Sequence, residues 1–336
     1  MKQNMSLTLI LSLGLAVTAM LSLLVGDVAT GPAALVSWLS GAGDAFHALL
    51  FETIRGPRIA LCALTGFALA LSGAAIQGFL RNPLAEPGLL GASNGAALGA
   101  VMVIYVGLAS TVSFAVPLAA SAMALVSVVL LMVVAGRGAS SLRLILSGFA
   151  VSAFAGAGIA LALNLSPNYF AALEIAFWLL GAVENRSWAH VGLALPGACI
   201  GCAILVANAK RLDALALGHE VAQSLGVNIN RLRMQIAVGL ALAVGAVVSV
   251  TGVIGFVGLV APHLIRPYCG HMPSRTLLPS GILGALLLVL ADTAIRALPT
   301  LTELKLGVLT AFIGVPLLLL LLNRASLLMQ GSDADA

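Results

Sequence analysis

Residues 87–136 read PGLLGASNGAALGAVMVIYVGLASTVSFAVPLAASAMALVSVVLLMVVAG, fifty positions without one Asp, Glu, Lys or Arg. Similar charge-poor stretches recur along the 336 residues, of which 61% are hydrophobic and only 8% charged. So few charges cannot cover a water-facing surface, so the solvent for most of this chain is lipid. A bilayer core needs roughly 20 apolar residues per helix. The windows 6–26, 59–80, 88–106, 112–135, 144–163, 190–209, 234–253, 254–270, 277–295 and 305–323 supply ten candidates. Their apolar runs are continuous rather than alternating, which selects helices over a barrel, because a spanning backbone must satisfy its own hydrogen bonds. The expected fold class is therefore all-α, a polytopic membrane protein of about ten transmembrane helices. The expected organisation is one transmembrane domain over 1–336, with a cytoplasmic segment at about 208–233 and a C-terminal tail at 324–336.

Abundant Gly (36 residues) with few aromatics (5%) suits helices in backbone contact. The run Met5–Gly26 behind Lys2 is long for a signal peptide and lacks a small-x-small site before Asp27, so it reads as an uncleaved first helix. Cys199-x-x-Cys202 has redox spacing, but its neighbours are apolar and the pair reads as small packing residues. With the N-terminus in the cytoplasm, eleven of the sixteen Lys and Arg fall on the cytoplasmic side. The other five are Arg55, Arg58, Arg186, Arg296 and Lys305, and this bias predicts both termini inside. No basic stripe with interleaved aromatics exists, so nucleic acid is not an expected partner.

The external segment 27–57 carries short amphipathic stretches at Ala34–Leu39 and Asp44–Ile54, expected as surface-lying helices. It ends in Arg55-Gly56-Pro57-Arg58, two cations on a stiff turn, either anchors at the membrane interface or a dock for an acidic partner. Arg81-Asn82-Pro83-Leu84-Ala85-Glu86-Pro87-Gly88 cannot be continuous helix and reads as a tight cytoplasmic turn. Gly91, Gly95 and Gly99 then share one helical face, for packing within the subunit or, alternatively, a dimer contact. Farther on, 218–227 reads as a short cytoplasmic helix ended by Gly226. Val221, Ala222 and Leu225 lie on one side of it and His219, Glu220 and Gln223 on another. Such an apolar face needs a cover, from the chain's own helices or from a cytosolic partner. Gly252 to Arg266 reads as a re-entry or tight turn followed by a short span, and each half of the chain thus holds one Gly/Pro-interrupted stretch.

Chemistry is sparse. There is no P-loop, no H-E-x-x-H, no G-x-S-x-G and no paired Cys/His set. His263 and His271 stand alone as helix-end hydrogen-bonding residues, and no metal site is expected. The spans hold no carboxylate–lysine pairs of the kind ion-coupled pumps use, while Asp292 and Glu174 fall near span ends. A pore, a scaffold, or a subunit driven by a partner remains. An ion-coupled secondary transporter and a membrane enzyme are the competing classes, and the sequence supplies residues for neither.

The segments now in view resemble one family. They are Arg55-Gly-Pro-Arg58, GFALALSGAAIQGFLRNPLAEPGLLGASNGAALGA (66–100), FWLLG (177–181) before Ser187-Trp188, LGHEVAQSLGV (217–227), GVIGFVGLVAPHLIR (252–266), LADTAIR (290–296) and ELKLGVLTAFIGVPLLLLLL (303–322). In order and spacing they resemble the FecCD-type permease subunits of ABC importers for iron–siderophore complexes, haem and vitamin B12. The structural signature is Asn82-Pro83 together with Gly255, Phe256, Gly258, Pro262, His263 and Arg266. The resemblance implies a type II importer fold in a bacterial inner membrane. It implies a permease dimer (a homodimer for a single chain), two ATPases holding ATP and Mg, and a periplasmic binding protein, with no cofactor on this chain. Arg55, Arg58 and Arg296 would be exposed rim cations that dock the binding protein. Leu217, Gly218, His219, Glu220, Val221, Ala222, Leu225, Gly226 and Val227 would couple to the ATPase. Ser140, Ser141 and Leu142 would form the cytoplasmic gate, with Leu142 a departure from the family's small hydroxyl residues. Lys305-Leu306 is a second departure, where relatives have proline. An iron chelate, ferric siderophore or haem, is the expected cargo, with cobalamin the alternative.

Overall fold

Apolar runs bounded by Gly, Pro and capping residues become fifteen α-helices among the residues that the computed structural model describes, which are 2–26, 28, 30–112, 114–136, 138–298 and 304–333. In chain order they are α1 (Lys2–Leu24), α2 (Pro32–Leu39), α3 (Ala45–Leu49), α4 (Gly56–Leu80), α5 (Ala92–Tyr105), α6 (Ala115–Ala135), α7 (Ser141–Asn164) and α8 (Tyr169–Leu179). There follow α9 (Trp188–Ala207), α10 (Ala209–Ala216), α11 (His219–Ser224), α12 (Ile229–Thr251), α13 (Val257–Ile265), α14 (Pro273–Ala297) and α15 (Leu306–Asp333).

Seven helical runs among the described residues are long and apolar enough to cross a bilayer: α1, the continuous run Ala45–Leu80, α6, α7, α9, α12 and α14. Shorter apolar helices, α5 and α15 with them, complete an all-helical membrane fold. The window 254–270 is not a full span. Gly252 to Gly255 are non-helical, Phe256 is left-handed at φ +66°, and α13 has nine residues. At 1.5 Å per residue that is about 13 Å, half a hydrocarbon core. The sequence reading missed α8 and α10. The stretch 324–333, read as a tail, continues α15, while 334–336 lie outside the described residues, as does Arg137, one of the eleven basic residues expected on the cytoplasmic side.

The segment Asp44–Ile54 is not a separate surface helix. A π-helical turn, Leu50–Arg55, joins α3 directly to α4, with the Gly56 N–H donating to Phe51 O. Pro57 has no N–H to give, and the wider turn absorbs the missing bond, so Arg55 to Arg58 lie within helix rather than on a turn. Asp44 caps this run by accepting from the His47 N–H at 2.8 Å, a bond that holds its carboxyl below the usual range.

Burial orders the layers. In α4 and α12, 78% of the spanning window is buried, against 17% in α1, so these two helices form the centre. α14, α13 and α12 pack on α4, while α9 and α6 pack on α12. Close approach explains the glycines: a Cβ on Gly73 would sit 1.8 Å from the Gly258 carbonyl oxygen, so α4 and α13 meet backbone to backbone. Gly95 and Gly99 likewise face Ser127 and Met123 of α6, which places that face in packing within the chain.

Candidate docking, gating and coupling sites

The first turn of α4 and the last turn of α14 converge on Asp292, which is 1% exposed. Arg58 Nε donates to its Oδ1 at 2.8 Å and Arg296 Nε to its Oδ2 at 3.0 Å. A helix leaves its last four carbonyls without intrahelical donors, and here the arginines serve those of α1. Arg296 donates to Ser22 O and Val25 O, Arg55 to Leu23 O, and Thr30 Oγ1 to Leu24 O. Arg55 further donates to Thr30 Oγ1 at 2.8 Å and to Val28 O at 2.6 Å. Cations at a helix C-terminus also oppose its dipole. The three arginines are thus not exposed rim cations: Arg55 is 4% exposed, and all three fasten α1, α4 and α14 together.

They nevertheless line a cavity of about 960 Å³ with Leu50, Phe177, Glu184, Arg186 and Lys305. Lys305, the residue replacing the expected proline, pairs with Glu184 and lies 5.5 Å from the centre of the Phe177 ring. Burial, then Arg58, lowers the Lys305 pKa.

The two interrupted stretches meet. Glu86 Oε1 accepts from the Phe256 N–H at 2.8 Å, and a Cβ on Gly258 would strike Pro87. Asn82 Oδ1 accepts from Leu84 N at 2.9 Å, while Pro83 lines a small cavity with Arg266. Arg266 donates to Gln77 Oε1, tying the end of α13 to α4. Pro262 is buried inside α13 and His263 half-buried. A carboxylate at the start of a half-helix satisfies orphan donors that a membrane interior leaves without water.

The helix α4 is 25 residues, about 37 Å, long, and Arg81 at its far end borders a cleft of about 850 Å³. Arg81, Ser140, Ser141, Leu142, His219, Gln223, Gly226, Val227 and Arg233 line it, so segments 140–142 and 219–227 border one cleft. Ser140 is the N-cap of α7, its Oγ accepting from Arg143 N at 3.3 Å, and Leu142 in the first turn is 66% exposed. Gly218 precedes α11, and Gly226 follows it at φ +84°. The Gly226 N–H donates to Gln223 O and the Val227 N–H to Ala222 O, both at 2.9 Å. Ala222 is fully buried, which corrects its placement beside Val221 and Leu225. The outward ridge is Leu217, Val221 and Leu225, at 67%, 45% and 62% exposure, with Glu220 also exposed. Sequence reasoning missed Arg233 of α12, which donates to the carbonyls of Gly136 and Ala139 just ahead of Ser140.

A bundle of crossing helices with interrupted half-helices at its centre, a cation-lined cavity at one end and an apolar ridge at the other is a membrane transport permease. The sequence matches the FecCD transport family over residues 14–324, and the chain belongs to that family, the permease subunits of ABC importers. It is 37% identical to the Fe(3+)-citrate import system permease of Bacillus subtilis over 96% of each chain. It is 36% identical to the vitamin B12 import system permease of Salmonella paratyphi A over 97% of each. A solved structure of a metal-chelate type ABC transporter, in an inward-facing conformation, superposes with TM-score 0.87 at 28% identity, covering 95% of this chain and 99% of that one. As an ABC importer permease, the chain works with ATPase and binding-protein partners.

Proposed function

We propose that this chain forms, as a homodimer with two ATPases beneath it, the conduit through which an iron chelate (a ferric siderophore or haem) enters the cytoplasm of a bacterium. Both termini lie inside. The observation that carries the reading is the ridge of Leu217, Val221 and Leu225, standing outside the helical core and next to the gate. A water-side apolar ridge on a six-residue helix is stable when a partner covers it. ATP and Mg are held by those ATPases, and this chain needs no cofactor of its own. The cation-lined cavity faces outward and receives the binding protein, with Arg55, Arg58 and Arg296 setting its positive potential while their internal acceptors hold them rigid. Cobalamin is the second reading, favoured by the vitamin B12 permease relative. Proteoliposomes holding the permease, its ATPase and its binding protein should take up ferric siderophore or haem only when ATP is supplied. Uptake of cobalamin alone would select the second reading, and uptake by the permease without the ATPase would overturn both.

A further inference from the structure

Besides the cleft and the cation-lined cavity there is a third hollow, of about 470 Å³, where the two interrupted stretches meet the side of α7. Two helices give its depth. Leu69 lies eleven residues before the end of α4 and Ser152 eleven residues into α7, each about 16 Å from its helix end and so near the middle of the bilayer. Glu86, Ser93, Asn94 and Ser152 line the hollow, and no Lys, Arg or His does. Among the described residues, the one side-chain hydrogen bond these four make is Glu86 Oε1 accepting from the Phe256 N–H. Ser152 Oγ is buried without a partner. Phe256 itself keeps a left-handed backbone, φ +66°, which an aromatic residue adopts only where its surroundings hold it there. Carboxylate, amide and hydroxyl groups left open at membrane depth are costly. Polar side chains so placed face a water-filled path and mark where a solute passes. The opening of the hollow agrees: Phe149 and Ala153, exposed residues at its mouth, continue the face of α7 that carries Leu142 and Leu146.

From this geometry we infer that the hollow is a station on the transport path that accepts the hydrogen-bond donors of the cargo, its amide, hydroxyl or ammonium groups. The inference rests on the importer reading above and narrows its cargo. Glu86 Oε2 with the side-chain oxygens of Ser93, Asn94 and Ser152 offers acceptors for such groups. One carboxylate with no cation beside it also repels a carboxylate-bearing rim, and does so strongly where the dielectric is low. Of the two kinds of iron chelate, a siderophore with amide or ammonium groups fits this lining. Haem, whose polar edge is a pair of carboxylates, does not.

The test uses proteoliposomes holding the permease, its ATPase and its binding protein. Ala153→Cys in a Cys199→Ser background puts a thiol at the mouth of the hollow and removes the one exposed native thiol among the four cysteines. ATP and binding protein loaded with an amide- and ammonium-bearing ferric hydroxamate should slow the reaction of that thiol with a water-soluble maleimide. Ser152→Ala should cut hydroxamate uptake roughly two- to tenfold, the loss of one hydrogen bond. The same variant should melt at the wild-type temperature or above, because an unpaired buried hydroxyl is gone. Glu86→Gln keeps an acceptor for the Phe256 N–H and should cut uptake roughly 10- to 100-fold, the loss of a charged acceptor. Maleimide labelling unchanged during uptake, uptake losses that track a falling melting temperature, or haem taken up as fast as the hydroxamate would each overturn the assignment. Wild-type proteoliposomes that take up no chelate with ATP and binding protein present would instead remove the importer reading, and the inference with it.

Discussion

Asp292 is one carboxylate shared by two guanidiniums, and its neighbours decide what its loss would do. Removing one partner of a buried ion pair leaves uncompensated charge, at a cost of about 3–5 kcal/mol. Asp292→Ala should therefore lower the melting temperature of the purified permease more than Arg55→Gln does. Arg55→Gln chiefly costs α1 a carbonyl cap, worth about 1–3 kcal/mol. Equal melting of Asp292→Ala and wild type would remove the triad from the account of how α1, α4 and α14 hold together. Gly73 poses the opposite problem, too much matter rather than too little charge. A methyl there meets the Gly258 carbonyl at 1.8 Å, and backbone cannot rotate away as a side chain would. Gly73→Ala should force α13 off α4 and cost at least the 1–3 kcal/mol or so of an overpacked core. Wild-type melting and uptake in that variant would contradict the backbone contact.

At the scale of elements, α11 separates two substitutions that sequence patterning treats alike. Val221→Ser with Leu225→Ser removes most of the exposed ridge and should weaken ATPase binding roughly a hundredfold or more, at about 1.5–3 kcal/mol per buried aliphatic, while the permease melts normally. Ala222→Asp buries a charge at a fully enclosed position and should unseat α11 itself, lowering the melting temperature as well. Gly226→Pro does the same by another route, since proline cannot adopt φ +84°. Normal ATPase affinity in the double serine variant would deny the ridge its role. The helices were legible because hydropathy alone marks a lipid-facing run, and the Gly/Pro breaks were legible because few residues tolerate those backbones. Three things were not legible. Arg55, Arg58 and Arg296 look like exposed cations in one dimension, and only tertiary packing brings the carbonyls at the end of α1 to Arg55 and Arg296 and Asp292 to Arg58. Nor does spacing reveal that Glu86 caps Phe256, 170 residues away, although both motifs stood out. The π-turn escaped because Gly-Pro after a cation is the signature of a turn as often as of a helix start.

Across the whole molecule the cleft and the cation-lined cavity lie at opposite ends of α4, and transport needs one to answer the other. The most buried helices, α4 and α12, link them. α12 begins four residues after Leu225 and carries Arg233, whose guanidinium holds the carbonyls of Gly136 and Ala139. On the proposed function, movement of α11 would reach the start of α7 through α12 and Arg233, a rigid-body coupling of packed elements. If Ser140 to Leu142 form the gate where two copies meet, the exposed Leu142 side chains of the pair should be within cross-linking reach. The variant Leu142→Cys, in a Cys199→Ser background that removes the one exposed native thiol among the four cysteines, should form an intersubunit disulfide on oxidation. That bond should abolish uptake reversibly, with reductant restoring it, while ATP hydrolysis continues because the ATPases remain attached through α11. Arg233→Leu should show the same separation without a cross-link, hydrolysis persisting as uptake falls. A Leu142→Cys permease that oxidises only to monomer, or one that transports normally when cross-linked, would place the constriction elsewhere along the bundle.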